Sequence, residues 1–411
     1  PPLTSKIWGT VCSGRYTITV TSVEIMGVEW EGCVWDKVER LHIEKVGGVG
    51  EGGGDENNED EGWDDDDFQA VREVLKSTVW YVKREGVRGS EGREEKGWYW
   101  NDGERDDAEY DAEISTETST ETSSAPPIIS MYHQSSVLPL SSSPNPPTLT
   151  LNLTTVLSPN RAGTRYTKRG GDLKGWTANE ATTRLTASIT NGDGSHRDGC
   201  PLTFHTTRGS IPLLWSSPLS LNKYNPKVRI SPNVRYNGVS CYRHFKRLER
   251  VWGGSVVVNL VDRDGGQGRL GEAFKGCVDA TINWGCNVVW GWWDFHEVCR
   301  EMGYDEGVGR IVKEAEEKMK ELENNNNGKG GILRVNCMDC LDRTNVVQAA
   351  YAEGLFWRWF ESAYPKGMDA SVNREFQAIY RVMWSDNADH VALLYAGTKA
   401  LKRDYTRTGR R

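Results

Sequence analysis

Between residues 334 and 345 the chain reads RVNCMDCLDRTN, which puts two cysteines, two aspartates and two arginines into twelve positions. Two chemistries compete for this stretch. As C-x-x-C, Cys337 and Cys340 have the spacing of half a zinc site or of a redox pair, but a zinc site needs a second pair at comparable spacing. Cys277 and Cys286 stand nine apart, Cys241 and Cys299 stand alone, and no histidine pair lies near them. As C-x5-R, Cys337 and Arg343 have the spacing of a short loop whose ends return to each other, so that one phosphate touches both the sulfur and the guanidinium fork. That layout performs displacement at phosphorus: Cys337 attacks, a phosphocysteine forms, and water hydrolyses it. Asp339 and Asp342 are the loop carboxylates available to protonate the leaving alkoxide and to activate the water. Spacing alone does not choose between them. A loop meant to grip several phosphates would carry lysines, so its two carboxylates point to a substrate with few phosphates.

The elements around the loop must supply its geometry. GILRVNC (331–337) reads as a short strand, and TNVVQAAYAEGLFWRWFESAY (344–364) reads as a helix with Val347, Tyr351, Leu355 and Trp359 at i+4 spacing. A loop that enters a helix N-terminus meets unpaired N–H groups and the positive end of the dipole, so it receives anions, and a thiolate there is stabilised by the same groups. Thr344 and Asn345 are placed to cap the helix. Together with Asn336, Met338, Cys340 and Leu341 they make up the candidate substrate-binding loop. Upstream, the run GSVVVNLVD (254–262) suits a buried parallel strand, and residues 309–323 suit a helix ended by the asparagine run at 324–327.

Fold class follows as α/β, with an N-terminal β-rich module and a C-terminal catalytic-type domain carrying a strand–P-loop–helix. Residues 7–45 alternate with period two and predict about three strands, with turns near Ser13-Gly14 and Met26-Gly27. The Gly/Asp/Glu run at 51–67 reads as a solvated loop, and 68–85 as an amphipathic helix passing into a strand. The organisation read from composition is a β-rich module with its acidic loop at 1–114, a Ser/Thr/Pro-rich flexible insert at 115–159 and the catalytic domain at 160–411. Within the insert, a short apolar strand is suggested near 149–156.

A chain of 411 residues, 37% hydrophobic with 17 tryptophans, buries a sizeable core, while a mean hydropathy of −0.61 signals polar stretches as well. Its nine scattered cysteines argue against a disulfide scaffold and for a reducing compartment. No apolar run reaches the roughly 18 residues a membrane span requires, and no secretory leader opens the chain. It begins at Pro1 and stops in a basic run, which reads as a fragment. The net charge of −8 discourages nucleic acid as a partner, but base clusters at 161–169, 243–250 and 399–411 leave a local anionic ligand open.

RVNCMDCLDRTNVVQ closely resembles the signature of the Sac-domain (suppressor-of-actin) phosphoinositide phosphatases. RAGTRYTKRG (161–170), TRGSIPLLWS (207–216), KYNPKVRI (223–230), WWDFHEVCREMGYD (292–305) and WSDNADHVALLYAGTKALKRDYTRTGRR (384–411) resemble further segments of that family in order. So do HFKRL, VVVNLVD and LGEAF within 244–274 and, more faintly, residues 7–44 and GWYWN (97–101).

The resemblance implies hydrolysis of phosphate from the inositol ring of a membrane phosphoinositide, with no required metal or other cofactor. It makes Cys337 the nucleophile, Arg343 the phosphate clamp and Asp339 or Asp342 the acid/base, and it sets the segment Arg161–Arg169, with Arg165 as its candidate contact, and Arg208 toward the active face. Asp294 and His296 are supporting candidates, although a histidine between aromatics is more often a core residue. Asn387 and Asp389 are read as cap or loop residues, and Lys402 and Arg403 as a basic surface. Where the family carries an FVETEQ-like run, this chain has NEATTRL (179–185). The implied substrate is a monophosphorylated phosphatidylinositol, the 4-phosphate ahead of the 3-phosphate, on the anionic cytosolic face of an internal membrane (endoplasmic reticulum/Golgi or endosome). The alternative is a catalytically weak phosphoinositide-binding scaffold of the same fold.

Overall fold

The computed structural model describes residues 9–13, 16–30, 33–45, 80–88, 128–161, 168–195, 197, 201–217, 227–326, 328 and 330–400. Two units divide the chain, Pro1–Met131 and Tyr132–Arg411. In the first, β1 (Gly9–Ser13), β2 (Tyr16–Trp30), β3 (Cys33–Lys45), β4 (Trp80–Arg88) and the start of β5 (Ile128–Pro139) pair antiparallel, each with the next. The break predicted near Ser13-Gly14 separates β1 from β2. The turn predicted near Met26-Gly27 is not there. Strand β2 runs through it, and its register against β3 shifts between Glu24 and Val28, so the glycine marks a bulge. The predicted acidic loop at 51–67 and the helical part of 68–85 lie outside the described residues.

The second unit begins within β5 and continues with β6 (Thr148–Leu157), β7 (Ala181–Thr190) and β8 (Leu202–Arg208). A short ladder pairs β9 (Trp215–Ser216) with β10 (Arg229–Ile230). Then follow α1 (Val234–Trp252), β11 (Ser255–Asn259), α2 (Gly265–Asn283), β12 (Val288–Trp292), α3 (Phe295–Met302), α4 (Tyr304–Asn325), β13 (Ile332–Asn336), α5 (Asp342–Ala363) and α6 (Ala370–Ala396). Of the tract predicted as a flexible insert at 115–159, residues 115–127 lie outside the described residues and the rest supplies β5 and β6, the latter being the strand suggested near 149–156. In β6, Leu149, Leu151 and Leu153 are fully buried between less buried polar neighbours.

The sheet of this unit runs β6-β7-β8 antiparallel, then β8-β13, β13-β11 and β11-β12 parallel. It is a mixed α/β sheet. The apolar run at 254–262 yields β11 as its inner strand, buried at every position because helices cover both faces. Val257 packs on one face with Phe245 of α1 and Phe274 of α2. Val256 and Val258 pack on the other with Ile311 of α4 and Tyr351 of α5. Helix α5 joins two cores: Val347 and Tyr351 meet the β11–β13 side, and Ala352, Phe356 and Phe360 meet Leu151, Leu185 and Phe376. The most buried i+4 row is therefore Gln348-Ala352-Phe356-Phe360, one residue on from the predicted row. Asn387 and Asp389, predicted as cap or loop residues, lie buried inside α6.

Candidate active site

Register brings the site together. In the parallel ladder Asn259 of β11 stands opposite Asn336 of β13, and Arg208 of β8 stands opposite Val335, so all three strands end at the same edge. Residues 337–341 leave β13 there and enter α5 at Asp342. Cys340 takes the left-handed conformation, φ 58°, which tightens the turn. The N-cap position falls to Leu341, whose side chain makes no capping hydrogen bond. Thr344 and Asn345 thus do not stand at the cap as predicted. They lie inside the first turn of the helix, whose N–H groups carry the positive end of its dipole.

Arg343 is fixed at the front of this loop. Its Nη1 donates to the Leu260 carbonyl and to Asp262 Oδ1, each at 3.0 Å, and its Nη2 donates to Gln267 Oε1 at 3.3 Å. Burial works to lower its proton affinity, but Cys337, Asp262 and Asp339 nearby more than offset that and raise it, so the guanidinium stays charged. Burial likewise works to raise the Asp262 carboxyl. The hydrogen bond from His296 and the charge of Arg343 outweigh it and hold the carboxyl below its usual range. His296 is 57% exposed, not a core histidine, and its Nδ1 lies 2.8 Å from Asp262 Oδ1.

Arg169 fixes the other side. It forms an ion pair with Asp339 at 2.6 Å and donates to the Met338 carbonyl at 2.9 Å, while Asn179 Nδ2 donates to the Asp339 carbonyl at 3.1 Å. Arg165, the predicted contact from the same basic cluster, lies outside the described residues.

Beneath the loop lie two buried arginines. Arg208 donates through Nη2 to Asn345 Oδ1 at 3.0 Å, and Asn345 Nδ2 reaches the Trp384 carbonyl at 3.1 Å. Arg208 Nε and Nη1 have no hydrogen-bond partner among the described residues. Burial pulls its pKa down to about 10, while Cys340, Cys337 and Asp342 act to raise it. Arg334 donates to Asn336 Oδ1 at 2.6 Å and to the Ser210 carbonyl at 2.5 Å, and Asn336 Nδ2 donates to Asn259 Oδ1 at 2.6 Å. No carboxylate pairs with either arginine in these bonds. A positive potential from below therefore falls on the Cys337 loop.

Of the predicted loop residues, Met338, Asp339, Asp342 and Arg343 retain exposure. Asn336, Cys340, Leu341, Thr344 and Asn345 are buried and hold the loop's shape. Cys337 is 3% exposed. The Cys340 thiol donates to the Cys337 carbonyl at 3.3 Å, and its pKa is pushed up to about 12, by burial first and then by Cys337. Among the described residues one trio of ligand types gathers, Asp262, Asp294 and His296. Hydrogen bonds account for it: Asp262 receives Arg343 and Gln267, and Asp294 accepts from the N–H groups of Arg263 and Glu297 as the cap of α3.

Sequence reasoning did not name Asp262, Gln267 or Asn179 as site residues, whereas Arg169 ends the basic segment 161–169 that the resemblance sets toward the active face. Asp262 ends the apolar run at 254–262, which does not show by itself that it reaches the loop. The whole arrangement gathers a cysteine, a fixed guanidinium and two carboxylates within seven residues.

The family model described as SacI homology domain matches residues 70–300, a segment that stops short of the Cys337 loop. Over 271 residues the chain is 35% identical to the phosphatidylinositide phosphatase SAC2 of Danio rerio, covering 64% of this chain and 23% of that protein. Over 302 residues it is 33% identical to the phosphatidylinositol-3-phosphatase SAC1 of Saccharomyces cerevisiae, covering 69% of this chain and 46% of that protein. The Homo sapiens SAC2 phosphatase is 34% identical over 260 residues, 62% of this chain and 22% of its own length. The chain thus spans less than half the length of these relatives.

Proposed function

The chain belongs to the SacI homology domain family, and from that premise we propose that it is a phosphoinositide phosphatase that works through a phosphocysteine on Cys337. The observation that supports this most is the convergence of Arg343 from the front and Arg208 and Arg334 from below on the five-residue loop that starts at Cys337. In this reading residues 332–363 form the strand–P-loop–helix of a cysteine phosphatase, and the strands of the first unit form its N-terminal β-rich module. The Cys337 thiolate attacks phosphorus, the P–O bond to the inositol oxygen breaks, and that oxygen takes a proton from Asp339 or Asp342. Arg343 binds the non-bridging oxygens in a fork as their charge shifts, and the N–H groups of the α5 first turn face the same charge. Water activated by the same carboxylate pair then releases phosphate and restores the thiolate.

In this reading the substrate is a monophosphorylated phosphatidylinositol, because the loop carries Asp339 and Asp342 and no lysine to grip further phosphates. We place the 4-phosphate first and the 3-phosphate next; the name of the yeast relative favours the 3-phosphate. The setting is the cytosolic face of an internal membrane of the endoplasmic reticulum/Golgi or endosome. Among the described residues no helix is long and apolar enough to cross a membrane.

A second reading, headgroup binding with little turnover, is favoured by the 3% exposure of Cys337, since a nucleophile must meet its target. Phosphate release from a panel of short-chain mono- and bisphosphorylated phosphoinositides, wild type against Cys337→Ser, separates the two. Release from monophosphates that the serine variant lacks supports the enzyme. Release that survives the substitution removes Cys337 from the mechanism, and headgroup binding without release establishes the scaffold.

A further inference from the structure

Residues 227–236 carry exposed cations and two bare apolar side chains on a segment packed against residues that brace the Cys337 loop, and we propose that this rim seats the chain on an anionic bilayer surface. The proposal rests on the reading of the site as one that takes a lipid headgroup. Between residues 201 and 248 the chain carries eight lysines and arginines and no aspartate or glutamate, within a chain whose net charge is −8. Three of the eight, Lys227, Arg229 and Arg235, are exposed on this segment. None of the three has a side-chain hydrogen bond or ion pair among the described residues. Beside them Val234 is 76% and Tyr236 48% exposed.

Packing ties the segment to the site at two points. Ile230 pairs with Trp215, the Arg169 guanidinium lies 5.9 Å from the Trp215 ring, and Arg169 holds Met338 and Asp339. Val228 packs so closely on Gly266 that a Cβ there would come within 3.2 Å of it, and the next residue, Gln267, holds Arg343. Val228 and Ile230 are therefore each joined to residues that brace the loop, through Gly266–Gln267 and Trp215–Arg169. In the proposed seating, the bilayer that presents a headgroup to Cys337 also lies against this segment.

The charge arrangement is unfavourable for the chain by itself. Arg235 sits in the first turn of α1, which holds no acidic residue, so its cation meets the positive pole of that helix. Phosphate and carboxylate headgroups laid against this turn reverse the sign of the interaction. Val234 and Tyr236 then enter the headgroup region, where a tyrosine keeps its ring in the apolar layer and its hydroxyl in water. A rim of one charge sign with only two apolar anchors lacks the apolar centre of a protein–protein interface. An anionic lipid surface fits it.

The experiment uses the full chain with phosphatidylcholine vesicles, with and without phosphatidylserine, and reads cosedimentation. Wild type should prefer the phosphatidylserine vesicles. K227Q/R229Q/R235Q should reduce that partition on the order of tenfold or more, and Val234→Ser with Tyr236→Ser should reduce it further. Thermal melting should be unchanged, as should hydrolysis of short-chain phosphoinositide in solution. Equal partition of wild type and the triple variant would overturn the proposal, as would an equal loss of short-chain hydrolysis, which would mean the cations act on the site itself. Binding of a DNA duplex through the same three cations, without a preference for phosphatidylserine, would assign the rim to nucleic acid instead. The vesicle arm needs no turnover, so a chain that docks yet releases no phosphate refutes the catalytic reading and leaves the docking surface standing.

Discussion

Arg343 and Asp262 lie 81 residues apart in sequence, yet Arg343 Nη1 donates to Asp262 Oδ1 at 3.0 Å on the site's front edge. The parallel pairing of β11 with β13 makes this contact. Asp262 follows the end of β11 by three residues, and Arg343 lies one residue into α5, so both reach the same edge of the sheet. The carboxylate, with Gln267 on the other nitrogen, sets the angle of the guanidinium fork. Asp262→Ala should lower kcat/KM on short-chain monophosphate by about 10²-fold, the cost of misplacing a clamp by an ångström. Asp262→Asn keeps an acceptor at the same place and should recover part of the loss. A loss confined to KM would show that Asp262 aids binding without orienting Arg343 for the reaction.

Acid should release the same contact. In the folded chain the Asp262 carboxyl binds its proton less readily than in the unfolded chain. Its stabilising contribution is therefore fully present above the unfolded carboxylate value of about 4 and is lost as pH falls through the lower folded value. Asp262→Asn lacks that contribution at every pH. The stability gap between wild type and Asp262→Asn in denaturant should be constant from neutral pH to about 5 and should close below about 4. A gap that widens on acidification would mean that Arg343 does not depend on this carboxylate.

Much of the site was legible because it is local. Cys337 and Arg343 lie on one loop, and the strand before and the helix after are strongly patterned, so spacing alone predicts their meeting. The β11 run was legible for the same reason, since a strand covered on both faces must be apolar throughout. What escaped depends on partners distant in sequence. The resemblance set Arg208 toward the active face, but only the pairing of β8 with β13 shows that it lies buried under the loop, 1% exposed. Thr344 and Asn345 suit a cap by type, but the helix starts at Asp342, earlier than composition suggests. Strand β5 escaped because serine, threonine and proline dominate its tract, whereas the alternate leucines of β6 already suggested the strand near 149–156.

Cys340 offers a backbone test. Its φ of 58° and full burial make it a turn residue with its thiol directed at the Cys337 carbonyl. Glycine adopts this conformation freely, and a β-branched residue resists it. Cys340→Gly should keep the fold and the phosphatase activity. Cys340→Val should lose more than about 1 kcal/mol of stability and the activity with it. Abolished turnover in a well-folded Cys340→Gly chain would restore a chemical role to this thiol, and the C-x-x-C reading with it.

The two loop carboxylates can be separated by the leaving group. Asp339 is held by Arg169 at 2.6 Å, and Asp342 opens α5, so neither geometry alone assigns the proton. An inositol alkoxide leaves poorly without protonation, whereas a fluorinated aryl oxide leaves unaided. Replacing the general acid with asparagine should cost about 10²–10⁴-fold on phosphoinositide and little on the aryl phosphate. The other aspartate, acting through charge and loop shape, should affect both substrates alike when replaced. If Asp339→Asn shows the selective loss, the Arg169 pair must open during the cycle, and Arg169→Ala should then spare hydrolysis of the aryl phosphate. If Asp342→Asn shows it, the Arg169 pair persists as a fixed brace, and Arg169→Ala should impair both substrates. Uniform losses for both asparagine variants would remove general acid catalysis from this loop.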